Sequence, residues 1–419
     1  PKLRYAEVED PGQFEVQDIP LPEKITLTLS SDRIHYGDLN LRQGAEVKTG
    51  ERVPLLQGRK GYLASPVTGT VERVSENTTF TDYRSIFITI DVADKDRWDT
   101  EFSKAVESPS PQVVREFLAL LPGMSNFTSL IHIENPLDII VVNGMDQDLL
   151  VSTNQWIVHA EAQGIKEGLD YLKTVTGASR VVLVVPPNLR SQAEKTGAEI
   201  KVIRPVYPNA LPRFTVREIL GRDIPANAAL SNFGVGVISA EAVLALKTAF
   251  VDKRPPVEKM VSVIHKDGRV RCVRARIGTP VREILSALDI SVDQGDRIVF
   301  GGPMTGHSVY SEDMPIMHST DAILIQDKNQ VIPNSDNPCV NCGECVRACP
   351  AKLPVNMLIR LLENRLYEEA AQVYDLFSCV ECGLCSYVCP LHIPVFHYIM
   401  LGKHELGLEQ AAEESDGEQ

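Results

Sequence analysis

The stretch CVNCGECVRACP, which opens at Cys339, is repeated in form by CVECGLCSYVCP, which opens at Cys379, and the two hold eight of the nine cysteines in the chain. Both read C-x-x-C-x-x-C-x-x-x-C-P. Three cysteines two residues apart let one short loop present soft thiolates to one face of an inorganic centre, the ligand type and spacing of an iron–sulfur cubane. The proline redirects the chain at the fourth cysteine, which then serves the centre held by the other run. The expected ligands of one [4Fe–4S] cluster are therefore Cys339, Cys342, Cys345 and Cys389, and those of a second are Cys379, Cys382, Cys385 and Cys349. A structural zinc site, built from two C-x-x-C pairs, has no use for a third close cysteine or for the C-P step. Gly343 and Gly383 stand where a small residue lets backbone amides approach the cluster sulfurs and tune the potential.

Cysteines gathered in this way in a long chain are metal ligands rather than a disulfide framework, which implies a reducing, cytoplasmic location. At 419 residues the chain is too long for one core, so several domains are expected. A net charge of -14 leaves no basic surplus for phosphates and argues against a nucleic-acid partner. No signal peptide is evident, and no apolar run reaches the roughly 18 residues of a spanning helix. Any membrane association would be peripheral, through partner subunits.

The organisation before the cysteines is multidomain α/β. Residues 1–106 read as β structure: KITLTL from Lys24 alternates apolar and polar, Gly44 and Gly50 punctuate turns, and Gly69 sits between short β segments. The two strand-turn-strand phrases resemble the barrel-sandwich hybrid of lipoyl and biotinyl domains, although Lys60, the lysine nearest a hairpin tip, lacks the flanks of a modified site. An unmodified docking barrel is expected. In residues 107–255, helical stretches alternate with the strands DIIVVN and RVVLVVPP, the pattern of a parallel α/β sheet. Residues 256–330 run hairpin (turn at Asp267-Gly268), strand, helix, in the order of a β-grasp module. Residues 331–405 form a helical dicluster ferredoxin-like domain, with Leu358, Leu361, Leu362, Leu366, Ala370 and Val373 at helical spacing between the runs. Residues 406–419 read as an acidic, disordered tail.

Other candidate chemistry is sparse. Cys272, mid-strand and without a charged niche, reads as a structural thiol. His392 and His397 follow the last cluster cysteine and read as packing or surface residues. The glycine pair Gly234 and Gly236 reads as a turn. The sequence holds no H-x-x-x-H pair, nucleophile elbow or phosphate-binding glycine loop.

The phrases ASPVTGTV at Ala64, VYPNALPRFTVREILGRDIPA at Val206, RIGTPVREIL at Arg276, FGGPMTG at Phe300 and STDAILI at Ser319, with both cysteine runs, resemble the RnfC family over nearly the whole chain. RnfC is the peripheral subunit of the Rnf electron-transport complex, and its α/β and β-grasp (SLBB-like) parts are similar to the flavin subunit of respiratory complex I. The resemblance implies an FMN in the α/β domain that oxidises NADH and feeds the clusters. The flavin phrases depart from the family. The loop read as G-x-G-G-A-G-F-P-T stands here as LPGMSNFTSL, which keeps Gly123 but places Met124, Ser125 and Asn126 where glycines let amides close on the flavin. The phrase N-G/A-A-E-C-E-P stands as NGMDQDLL: Asn143 and Gly144 persist, Asp146 and Asp148 replace the glutamates, and the proline is gone. The family's N-V-x-T is replaced near SNFGVGVISAEA. The expectation is an iron–sulfur electron-transfer subunit without its own FMN or NADH site, relaying electrons between partner subunits such as a flavoprotein, a ferredoxin or membrane subunits. The alternative is a complete FMN-dependent NADH or ferredoxin oxidoreductase with a divergent flavin pocket.

Overall fold

The structure is a computed structural model that describes residues 2–8, 16–30, 41–54, 62–78, 84–225 and 228–417. Lys60 lies outside the described residues. A short strand, Gln17–Asp18 (β1), precedes an antiparallel sheet built from Lys24–Ser30 (β2), Glu46–Val47 (β3), Gly69–Thr78 (β6) and Arg84–Val92 (β7), in the order β2-β7-β6-β3. Arg52–Pro54 (β4) and Tyr62–Ala64 (β5) pair beside it. Alternation decides which face is buried: Ile25, Leu27 and Leu29 pack inward with Val71, Ile88 and Ile90, while Lys24 is exposed. Gly44 and Gly50 have positive φ, as turns require. Gly69 belongs instead to a strand: it opens β6, where a side chain would collide with the Asp91 carbonyl across the ladder.

The second sheet is parallel, Ile139–Asn143 (β8), Arg180–Val185 (β9), Glu199–Val202 (β10) and Val235–Ser239 (β11), in the order β10-β9-β8-β11. Its central strands read as apolar runs because helices cover both faces. The helix Ala162–Thr176 buries Ile165, Leu169, Leu172 and Val175 and ends on Gly177 in the left-handed region. It packs so closely on the helix Ala240–Phe250 that Gly168 meets the Val243 carbonyl with no room for a methyl group. Strand order reverses between β8 and β11, where an open α/β sheet leaves a crevice at its carboxyl ends. Of the glycine pair, Gly234 turns the chain at positive φ and Gly236 is a residue of β11.

The third sheet has the order β1-β13-β12-β16-β14-β15, with Glu258–Ile264 (β12), Val270–Arg276 (β13), Arg297–Phe300 (β14), His307–Val309 (β15) and Ala322–Gln326 (β16). The β12–β13 hairpin turns at Asp267-Gly268, and the helix Val281–Ala287 covers the sheet. Cys272 is 1% exposed here, and burial pushes its thiol up to about 12. A buried ion triad fastens this sheet to the α/β unit. The ammonium of Lys259 in β12 donates to Glu241, to Asp321 at 2.9 Å and to the Met260 carbonyl at 2.8 Å. Burial disfavours the Lys259 charge, but the two carboxylates outweigh it and hold the ammonium protonated.

Short helices wrap the last unit around the two cysteine runs. The apolar stretch between the runs is two helices rather than one, Val355–Glu363 and Tyr367–Gln372, because Arg365 adopts φ 58° and breaks the register. Leu358, Leu362 and Ala370 are buried as the spacing predicts, but Leu366 is 47% exposed and Val373 64% exposed. The closing helix, Val395–Gly417, buries Val395, Ile399 and Leu406 and carries its backbone through the segment expected to be a disordered tail. Charge reads as disorder in isolation, but Glu, Gln and Ala are strong helix formers, and extending a helix already nucleated by packing costs little.

Candidate metal centre

The two runs have the same backbone. Asn341 and Glu381 both have φ 58°, Gly343 and Gly383 have φ 76° and 71°, and Lys352 and His392 have φ 57° and 53°. Each left-handed glycine starts a short helix, Glu344–Ala348 or Leu384–Tyr387. Such turns direct successive N–H groups toward the sulfurs: Glu381 donates to Cys379 Sγ at 3.4 Å and Leu353 to Cys349 Sγ at 3.4 Å.

Cys339, Cys342 and Cys345 line a cavity of about 390 Å³ together with Cys389, which comes from the far end of the other run. Ile359, Leu391, Ile393 and Val395 form its apolar wall. Burial pushes the Cys345 thiol up to about 11, and Cys339 and Cys342 add to the effect. The remaining four cysteines lie together in the same crossed sense. Burial pushes Cys382 up to about 11, and neighbouring Cys379 and Cys349 act in the same direction. Cys385 is raised by burial, by Cys379 and Cys382, and also by Cys345 of the first group, so the two groups are neighbours. Among the described residues no three His, Cys, Asp or Glu side chains are grouped as one metal ion requires. A cubane makes a different demand, four thiolates around a cage that each reach their own iron, and the cavity ringed by four cysteines fits it.

The surroundings of the groups differ. Cys342 is exposed, and Val340 beside it is 63% exposed. Arg347 donates to the Cys342 carbonyl at 3.1 Å and pairs with Glu344 at 2.6 Å, both at the surface. In the second run Cys382, Leu384 and Cys385 are buried. Cys382 and Leu384 pack in one core with Val141, Met145 and Tyr207 of the α/β unit. Lys403, from the closing helix, donates to the Cys379 carbonyl at 2.8 Å and to Glu381 at 2.7 Å, and the Tyr207 hydroxyl donates to the Cys382 carbonyl at 2.6 Å. Neither Lys403 nor Tyr207 is marked by a local pattern, because both reach the run from distant sequence. His392 and His397 line a surface groove with Gly383 and Tyr387.

The candidate flavin residues are near one another at the strand-order reversal, and all have internal partners. Gly123 donates to the His318 carbonyl at 2.8 Å and accepts from Ser239 Oγ at 3.0 Å, and Ser239 and Glu241 fill the space beside its Cα. Asn143 bonds the Ala210 carbonyl and the Met145 amide, and Gly144 is closed in by Val158 and the Val184 carbonyl. Asp146 is buried and caps the helix Thr153–Ala160 through Asn154 and Gln155; burial raises its carboxyl to about 6. Asp148 accepts from Leu149, Met304 and Thr305 and so ties this loop to the third sheet.

Residues 332–390 match a family model described as a 4Fe-4S dicluster domain, which makes this unit an iron–sulfur module. Over most of its length the chain is similar to proteins named as the RnfC component of the ion-translocating oxidoreductase complex. That of Pectobacterium carotovorum is 25% identical over 378 residues, covering 85% of this chain and 50% of the relative. That of Erwinia tasmaniensis is 25% identical over 361 residues, covering 81% and 44%. This chain thus spans about half the length of the curated relatives it matches. Among solved structures, a chain of an NAD+-reducing [NiFe]-hydrogenase in the air-oxidized state aligns with a TM-score of 0.45 and 13% identity, covering 66% of this chain and 61% of that one. Among the described residues no helix is long and apolar enough to cross a membrane.

Proposed function

We propose that this chain is an RnfC-like iron–sulfur electron-transfer subunit of an ion-translocating oxidoreductase complex. It relays electrons between partner redox subunits through two [4Fe–4S] clusters and has no FMN or NADH site of its own. Cys339, Cys342, Cys345 and Cys389 hold the outer cluster, and Cys379, Cys382, Cys385 and Cys349 the inner one. The observation that carries this reading is the single cavity ringed by the outer four, whose fourth member is donated by the other run. A bound four-iron cluster supplies a centre that accepts and releases one electron. The protein's own part is to hold the thiolates, aim amides at the sulfurs and exclude water from the inner site with Leu384 and Tyr207. The exposed Cys342 makes the outer site the point of exchange with a partner. Support for the lack of a flavin comes from Gly123, Asn143, Asp146 and Asp148, whose polar groups are engaged within the fold.

On this reading residues 1–106 are a barrel-sandwich docking domain, 107–255 an α/β domain derived from a flavin subunit, 256–330 a β-grasp (SLBB-like) domain and 331–405 the dicluster domain. The protein would work on the cytoplasmic side, bound to the membrane through its partners. Anaerobic purification followed by metal, sulfide and flavin analysis tests the proposal. Iron and sulfide without flavin are expected; one FMN per chain would support the divergent oxidoreductase instead.

A further inference from the structure

The inner cysteine run is held from two sides by residues that no spacing rule identifies. On one side the Tyr207 hydroxyl, itself only 4% exposed, donates to the Cys382 carbonyl at 2.6 Å. Tyr207 is braced in turn. Its amide donates to the Leu3 carbonyl at 3.0 Å, its ring lies 5.4 Å from that of Tyr5, and the Tyr5 hydroxyl accepts from the Ala210 amide at 3.3 Å. On the other side the Met304 carbonyl is so close to Gly383 that no side chain fits there. Met304 is fixed because Asp148 accepts from its amide at 3.1 Å and from the Thr305 amide at 2.8 Å. The equivalent peptide of the outer run has a different partner: the Cys342 carbonyl accepts from the exposed side chain of Arg347.

A donor on a carbonyl polarises the whole peptide, so the N–H on its other side becomes a stronger donor. In the inner run that N–H belongs to Gly383, which finds no backbone acceptor among the described residues. Burial holds the Tyr207 hydroxyl protonated, so it remains a donor. We propose that Tyr207 is a positioning residue for the inner iron–sulfur site: its bond to the Cys382 carbonyl fixes and polarises the Cys382–Gly383 peptide and thereby raises the reduction potential of that site alone. This rests on the electron-transfer reading above. Hydrogen bonds at cluster sulfurs stabilise the reduced, more negative form, which sets the sign.

The test is a potentiometric titration, followed by electron paramagnetic resonance, of the full-length chain and of Tyr207→Phe, both prepared anaerobically. Iron and sulfide are counted first; their absence from the unaltered protein would defeat the electron-transfer reading rather than the role of Tyr207. With clusters present, the variant is expected to show one signal moved to a more negative potential and the other unmoved. Two unmoved signals, or an equal movement of both, would overturn the proposal. Should the variant fail to retain its clusters, 3-fluorotyrosine at position 207 keeps the shape and strengthens the donor. One signal should then move to a more positive potential, and no movement would overturn the proposal as surely. Tyr5→Phe, which leaves the Tyr207 bond in place, is expected to leave both potentials where they were.

Discussion

The two cysteine runs have one backbone and two environments. Position for position, the left-handed residues recur and the helices start on matching glycines. Yet where the outer run places Glu344 in solvent, the inner run places Leu384 at 5% exposure against the α/β unit. Where the outer carbonyl of Cys342 is met by a surface arginine, the inner carbonyl of Cys382 is met by a buried tyrosine. Duplication of a local motif therefore supplies two equivalent cages, and packing makes them unequal. On the proposed function, one cage is open to a partner and the other is built into the scaffold.

The comparison is broken most severely by removing the fourth cysteines. Cys349→Ser is expected to abolish the inner cluster and spare the outer one, with iron falling from roughly eight to roughly four per chain. Cys389→Ser should do the reverse, and magnetic resonance spectra of the two variants should be complementary. If each substitution instead removed the cluster of its own run, the crossed assignment would be wrong.

Burial predicts the next largest contrast. Leu384→Ala empties a site in the interdomain core and should cost about 2–5 kcal/mol in denaturant unfolding. Val340→Ala, at the exposed counterpart of Val380, should change stability by less than about 0.5 kcal/mol. The matching glycines give a finer comparison, since alanine at either position suffers the same left-handed strain. Gly383→Ala additionally collides with the Met304 backbone, whereas Gly343→Ala approaches only the end of the Arg347 side chain. The inner variant should be roughly 1–3 kcal/mol worse than the outer. The cations should differ least. Lys403→Met, which removes a partly buried donor from Cys379 and Glu381, is expected to cost about 1–1.5 kcal/mol. Arg347→Met removes a largely exposed pair and should cost no more than about 0.5 kcal/mol in the same assay.

What is legible in the sequence follows the range of the interactions. The cysteine spacing, the turn at Asp267-Gly268 and the buried strands β8 and β9 are local patterns, and the structure has the turn and the strands where the patterns put them. The break at Arg365 is invisible because a left-handed arginine leaves no mark on apolar periodicity. The closing helix reads as a disordered tail when charge is weighed without the packing that nucleates it. The clamp on the inner run joins residues 207 and 382, which no local window contains. One trace of it is present: leucine stands at 384 where the first run has glutamate, an apolar residue in a loop that would face water if the two runs were alike. Asp146 and Asp148 look like substitutes for flavin-binding acids, and only their hydrogen-bond partners reveal them as a helix cap and an interdomain tie.

The most direct measurement is the iron and acid-labile sulfide content of the anaerobically purified, unaltered chain. Two cross-anchored cubanes require roughly eight of each per polypeptide. Zinc in place of iron, or iron without sulfide, would contradict the account.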